Sequence, residues 1–180
     1  ETSADSIRIH GERGDAGFFA RLFGSNPTER VSLKLPRQIS LVTQGVNGSV
    51  IVGEVDGPVE VHGINGKVDI GQAVGSARFK GINGNIAVSL KDLAKDGVTI
   101  NGVNGNIELR LSDGLSAELE AHGMNGRVVS DLPDAIIEKE RHGSFIAHVG
   151  TGGSAINASG INGNIRLTRA LAAKTATESE

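Results

Sequence analysis

The chain has 180 residues, 38% of them hydrophobic, and a formal net charge of −3 at pH 7. This length allows one domain with a real core, whereas the weak, interspersed charge excludes the basic surface that nucleic acids and anionic membranes require. Cysteine is absent, which excludes disulfides, cysteine-ligated zinc and thiol nucleophiles. No apolar run is long enough to span a membrane.

Glycine is abundant, with 26 copies, while aromatic residues make up 3% of the chain and include no Trp or Tyr. Aromatic side chains normally supply much of the buried area of a globular core. A thin core of Val, Ile, Leu and Ala does not need them.

Residues 1–30 are expected to form an N-terminal strand and a Phe-rich cap. Residues 6–10 alternate as a strand does. The cap contains Phe18, Phe19 and Phe23, three of the five Phe in the chain. Repeat proteins cover the open end of their stack, and the alternative for this segment is an apolar contact site for a partner.

A hexapeptide dominates residues 31–168: Gly-φ-Asn-Gly-x-φ, in which φ is Val, Ile or Met, occurs six times. The steps between successive copies are 18, 18, 21, 21 and 37 residues, and a fixed period in this range indicates a solenoid or array. The last step is two periods, which predicts a degenerate copy at His142-Gly143. The central asparagines are Asn47, Asn65, Asn83, Asn104, Asn125 and Asn162.

The flanks of each hexapeptide alternate on a two-residue period, which is typical of strands. Val59 and Val61 share one face, and Glu60 and His62 take the other. Each repeat therefore predicts a strand, a corner, a second strand and a loop. The predicted fold is all-β: a parallel β-solenoid, or β-helix, of about seven coils with 18–21-residue repeats.

An antiparallel meander is the alternative fold. Asn-Gly between alternating segments is the strongest short signal for a tight hairpin. Against this alternative, the glycine before φ-Asn would weaken a hairpin strand. A hairpin also gives no reason for the whole hexapeptide to recur.

The chemistry of the hexapeptide is that of a corner. Gly and Asn adopt positive φ most readily, and the apolar residue between them is expected to point inward. Stacked strands lie about 4.8 Å apart. Equivalent asparagines should therefore form a row whose amides bond to one another and to backbone groups left unpaired by the corner.

The residue before each hexapeptide is expected to point outward, and it differs between copies. It forms a candidate contact row, Gln44, His62, Lys80, Asn101, His122 and Ser159. His62 and His122 should lie three coils apart, too far to share a metal, whereas His122 and His142 would be neighbours. We expect no catalytic residue, no metal and no cofactor.

The pattern loosens after Asn125. Pro133 and the charged residues 138–141 predict an exposed loop, and residues 150–154 predict a glycine-rich turn. Residues 169–180 are polar and rich in Ala and Thr, and they predict a C-terminal tail.

The order of these features resembles a known family. Residues 31–36 (VSLKLP), residues 39–43 (ISLVT), the recurring Gly-φ-Asn-Gly units and the closing residues 160–167 (GINGNIRL) are similar to a bacterial adhesin-like family of unknown function, related to the toast-rack envelope domains. The resemblance covers residues 31–168. It implies a parallel β-solenoid that is exported or displayed at the cell envelope, and it carries no catalytic residues.

These observations predict a non-enzymatic structural or interaction module of the bacterial cell envelope or exterior, whose protein or glycan partner the sequence does not specify. One alternative is a filament subunit that self-associates through solenoid ends. A second alternative is an envelope-stress sensing domain. A third is a carbohydrate-active enzyme, although no nucleophile–base pair stands out in the sequence. The first residue is Glu rather than Met. Removal of a signal peptide would leave such a start, and so would trimming of the chain. We expect an exported protein.

Overall fold

A computed structural model describes residues 2–3, 6–7, 35–140 and 143–170. The chain divides into two compact units, Glu1–Lys34 and Leu35–Glu180. In the first unit, β1 (Thr2–Ser3) and β2 (Ser6–Ile7) form an antiparallel pair.

Some predicted features lie outside the described residues. These are the Phe-rich cap with Phe18, Phe19 and Phe23, His142, and the tail beyond Ala170.

The described part of the second unit is all-β, as predicted, and contains no helix. Its strands are β3 (Leu41–Gln44), β4 (Val50–Val55), β5 (Val59–Asn65), β6 (Val68–Asn83), β7 (Ile86–Asn104), β8 (Ile107–Leu111), β9 (Ala117–His122), β10 (Val128–Ser130), β11 (Ala135–Lys139), β12 (Phe145–Val149), β13 (Ser154–Asn162) and β14 (Ile165–Arg169). They form one 12-stranded sheet. The sheet is nearly closed because β6 and β7 each contribute to two walls.

Each hexapeptide corner joins two walls, and a corner with its two flanking strands is called a rung. The first wall consists, in order, of β3, β5, the second halves of β6 and β7, β13, β9, β12 and β11. The second wall consists of β4, the first halves of β6 and β7, β8, β14 and β10.

Neighbouring rungs pair in parallel and in register. His62 lies beside Lys80, and Asn65 lies beside Asn83. The two strands that flank a corner belong to different walls and do not pair with each other within a rung. The alternative of a meander with Asn-Gly hairpins is therefore wrong for the described residues.

The rungs do not stack in chain order. On the first wall, β13 pairs in parallel with β7 on one side and β9 on the other. The corner of Asn162 therefore lies between those of Asn104 and Asn125. Numbered by position, rungs 1 to 6 are centred on Asn47, Asn65, Asn83, Asn104, Asn162 and Asn125.

The segment between Asn125 and Asn162 forms a hairpin where a degenerate coil was expected. β11 and β12 pair antiparallel, and β12 also pairs antiparallel with β9. The sheet is therefore mixed, and the prediction of seven parallel coils is not confirmed.

Strand direction explains how the chain returns from this hairpin. Because β12 runs antiparallel to β9, its last residue Val149 lies beside Ala117, where β9 begins. Ser154 also lies beside Ala117, on the opposite side of β9. The turn of residues 150–153 crosses that end of β9, where the Thr151 amide donates to the Ser116 hydroxyl at 3.2 Å.

The core fills the space between the two walls. The φ residues of the corners point inward, and Ile64, Ile82 and Val103 are each 1% exposed. At rung 1 the inward side chains of Leu41, Val46, Val50 and Val52 are only half-buried, whereas Val55 at the end of β4 is buried. At the other end, Phe145 of β12 is buried, at 5% exposure.

Candidate functional site

The two glycines of each hexapeptide serve different purposes. In rung 3, Gly81 has a φ of +64° and Gly84 has a φ of +150°, both of which L-residues adopt at a cost. A Cβ on Gly81 would have room, whereas a Cβ on Gly84 would lie 2.1 Å from the carbonyl oxygen of Gly66 in rung 2. The second glycine therefore permits the close approach of stacked corners.

The six corner asparagines form one continuous ladder. The Nδ2 of Asn65 donates to the Oδ1 of Asn47 at 3.0 Å, and the same bond joins every later pair of rungs at 3.0–3.1 Å. All of these donors point towards rung 1. Asn47 consequently has an Nδ2 with no acceptor among the described residues.

The residues of the predicted contact row lie in one line on the outside of the first wall. Their order along the stack is Gln44, His62, Lys80, Asn101, Ser159 and His122. Within the line, Ser159 Oγ donates to Asn101 Oδ1. Nδ1 of His122 lies 3.3 Å from Oγ of Ser144.

The inserted rung corrects one spacing in this row. Ser159 stands between Asn101 and His122, so His62 and His122 are four steps apart and not three. The described residues contain no group of three or more His, Cys, Asp or Glu side chains that could hold a metal ion.

Charged side chains on the first wall form cross-strand pairs. Arg78 Nη1 lies 3.2 Å from Glu60 Oε1, and His148 Nδ1 lies 3.1 Å from Glu118 Oε2. All four side chains are well exposed, and such pairs contribute about 0–1 kcal/mol each.

A second asparagine row, which the sequence reasoning missed, runs along the second wall at position x of the hexapeptide. The Oδ1 atoms of Asn85, Asn106 and Asn164 accept backbone N–H groups of the next rung at 2.9, 3.0 and 3.2 Å. The recurrence of Asn at x in three of six copies was the signal for this row.

The same face of the second wall contains an open groove of about 910 Å³. In it, Arg110 Nε lies 3.2 Å from Glu108 Oε1, and its Nη1 lies 3.5 Å from Asp69 Oδ1. The pKa of Arg110 is raised, first by its hydrogen bond to Glu108 and further by the charges of Glu108 and Asp69, against the effect of burial. Nη2 of Arg166 lies 2.7 Å from Oδ2 of Asp131.

Comparison with family models, with curated proteins and with solved structures finds no significant match for this chain. In the part of the chain that the structure describes, no helix is long and apolar enough to cross a membrane.

Proposed function

We propose that the protein is a non-enzymatic structural or interaction module, and that its second unit is a β-solenoid of six coils completed by a hairpin. The observation that carries this proposal is the asparagine ladder, which keeps one register through all six rungs. Such a frame holds outward side chains at a fixed spacing of about 4.8 Å. The outward residues differ from rung to rung, as a recognition surface requires.

We further propose that the module works in the bacterial cell envelope or exterior. The support is the resemblance of residues 31–168 to the adhesin-like family. The ordered corners fit the fold that this resemblance implies.

A turnover assay tests the non-enzymatic proposal. The purified chain is incubated with a panel of neutral and acidic polysaccharides, and new reducing ends and unsaturated products are measured. The expected result is no turnover above that of a urea-unfolded control. Product formation that scales with protein concentration and disappears on unfolding would contradict the proposal.

A second candidate function, self-association, is favoured by the strands of rung 1. At rung 1, β3 and β4 each pair on one side only among the described strands. Val42 and Ile51 are 64% and 78% exposed there, and unpaired edges are templates for further strands.

The two ends of the stack favour a pair of copies over a filament. At the other end the first wall extends two strands beyond the second, because β12 and β11 continue only the first wall. A head-to-tail contact would therefore meet mismatched walls, whereas two copies of rung 1 match each other.

Sedimentation velocity at increasing concentration tests self-association. If the protein self-associates through rung 1, a dimer should form, and Ile51→Lys should weaken it. The control is Ile136→Lys on the far hairpin, where the wild-type side chain is 64% exposed and the dimer should be unaffected. Monomers at all concentrations would remove this candidate, and particles growing without limit would favour the filament.

A further inference from the structure

The groove on the second wall displays hydrogen-bond donors at regular intervals. One row, at position x, consists of Lys67, Asn85, Asn106, Asn164 and Arg127 in rungs 2 to 6. Four steps of about 4.8 Å make this row roughly 19 Å long. It runs parallel to the stack and across the strands.

The orientation of the amides in this row is set from inside the protein. Oδ1 of Asn85 and Oδ1 of Asn106 each accept a backbone N–H of the next rung. Their Nδ2 groups have no acceptor within the described ranges. The Nδ2 of Asn164 donates to Oδ1 of Asn106 at 3.4 Å. The row therefore presents amide donors at Asn85 and Asn106, and its ends carry the cations Lys67 and Arg127.

The charge of the groove contrasts with that of the chain. Four cationic and two anionic side chains line the groove, and Asp69 pairs with two of the cations, Lys67 at 2.8 Å and Arg110 at 3.5 Å. The remaining surplus is one positive charge, on a chain with a net charge of −3. Arg127 is exposed and makes no ion pair with another described residue. Oγ1 of Thr168, at the wall of the groove, is buried without a partner among the described residues, and such an atom is usually satisfied by a ligand or water.

We propose that this groove binds an extended acidic glycan, a chain of uronate sugars laid along the stack. A sugar ring is about as long as one step between rungs, so successive sugars would meet successive donors. Arg127 and Arg166 would contact carboxylates through charge-assisted hydrogen bonds. The carboxylates of Glu108 and Asp131 can accept hydrogen bonds from sugar hydroxyls.

The same features disfavour a nucleic acid. Single strands are bound by aromatic platforms under the bases, and no aromatic side chain lines the groove. The inference rests on the proposed function of an interaction module and names its ligand class.

The test is calorimetric titration of the full chain with polygalacturonate, with dextran as the neutral polymer. We expect polygalacturonate to bind and dextran not to bind. The affinity for polygalacturonate should fall as salt is added, because the contacts are solvent-exposed. Arg166→Gln should weaken binding about tenfold, the value of one charge-assisted hydrogen bond. Arg127→Gln combined with it should weaken binding further.

Arg78→Gln on the first wall is the matched control. Arg78 and Arg166 are 58% and 59% exposed, and each pairs with one carboxylate. The control should leave the affinity unchanged within about twofold, the effect of a single distant charge. Circular dichroism confirms that each variant keeps its strands.

Several outcomes would overturn the inference: no binding of polygalacturonate, equal binding of dextran, equal losses from Arg78→Gln and Arg166→Gln, or tighter binding of a single-stranded DNA. The two proposals can fail separately. If polygalacturonate is bound and cut, the proposal of a glycan-binding groove is supported and the proposal of a non-enzymatic function is contradicted. If the groove binds no polyanion and another face binds a partner, the proposal of an interaction module is supported and the proposal of a glycan-binding groove is contradicted.

Discussion

The two ends of the stack are built from the same hexapeptide in different ways. Rungs 1 to 4 follow the chain, and rung 1 ends in strands paired on one side only among the described strands. Rungs 5 and 6 are exchanged, and an antiparallel hairpin extends beyond rung 6. Among the described residues, rung 1 keeps the repeat pattern to its last strands, whereas the far end departs from that pattern.

Equivalent residues consequently have different surroundings at rung 1 and inside the stack. Val50 of rung 1 is half-buried, whereas its neighbour Val68 in rung 2 is fully buried. A Cβ on Gly48 would meet nothing within 4 Å, whereas one on Gly84 would meet backbone. The stability of a repeat array is a sum of repeat and interface contributions, so one substitution made in two rungs measures the interface.

The largest expected contrast tests the exchanged order of the far rungs. Asn101 and Ser159 are register partners, so cysteines there should form a disulfide across about 4.8 Å. Cysteines at Asn101 and His122 lie two strands apart, about 9.6 Å, beyond the reach of a disulfide. The chain has no cysteine of its own, so non-reducing gels and peptide mass spectrometry give a clean result.

Preferential cross-linking of the 101–122 pair would contradict the exchanged order. It would mean that rung 6 stacks directly on rung 4. Cross-linking of both pairs would indicate two interconverting orders.

A second contrast compares the second glycine of two rungs. Gly48→Ala and Gly84→Ala both strain a backbone with φ near +150° (153° and 150°), at about 1–3 kcal/mol. Gly84→Ala also forces a Cβ against the Gly66 carbonyl, which should cost a further 1–3 kcal/mol or more. Urea unfolding of the two variants measures the difference, and equal losses would contradict the close stacking of the corners.

The sequence was sufficient for the local parts of this fold. The alternation around Val59 and Glu60 predicted strands, and the Gly-φ-Asn-Gly unit predicted a corner with an inward φ residue. These features depend on backbone conformation and side-chain period, which are written within each repeat.

The order of the rungs could not be read in the same way. The step from Asn104 to Asn125 is 21 residues, equal to the step from Asn83 to Asn104, so spacing fits direct stacking of these corners. The insertion of Asn162 is decided by pairing between distant segments. The groove was hidden for the same reason, because Lys67 and Arg127 become parts of one row only when rungs 2 to 6 are in register.

A third contrast concerns the apolar interior. Val68→Ala should destabilise the fold by about 2 kcal/mol, from two buried CH₂ groups at about 0.8 kcal/mol each and the cavity left behind. Val50→Ala should cost about 1 kcal/mol or less, because this side chain already contacts solvent. Both are measured by urea unfolding, and a loss from Val50→Ala as large as that from Val68→Ala would show that something covers rung 1 in solution.

The smallest contrast tests the polarity of the asparagine ladder. Asn83 donates to Asn65 and accepts from Asn104, so Asn83→Ala removes two hydrogen bonds and should cost about 1–3 kcal/mol. Asn47 takes part in only one such bond, and Asn47→Ala should cost about half as much. Because water can reach the groups left behind, both values should lie near the low end of their range. Equal losses in urea unfolding would show that the Nδ2 of Asn47 has found an acceptor, and repeating the measurement at several protein concentrations would show whether that acceptor belongs to a second copy.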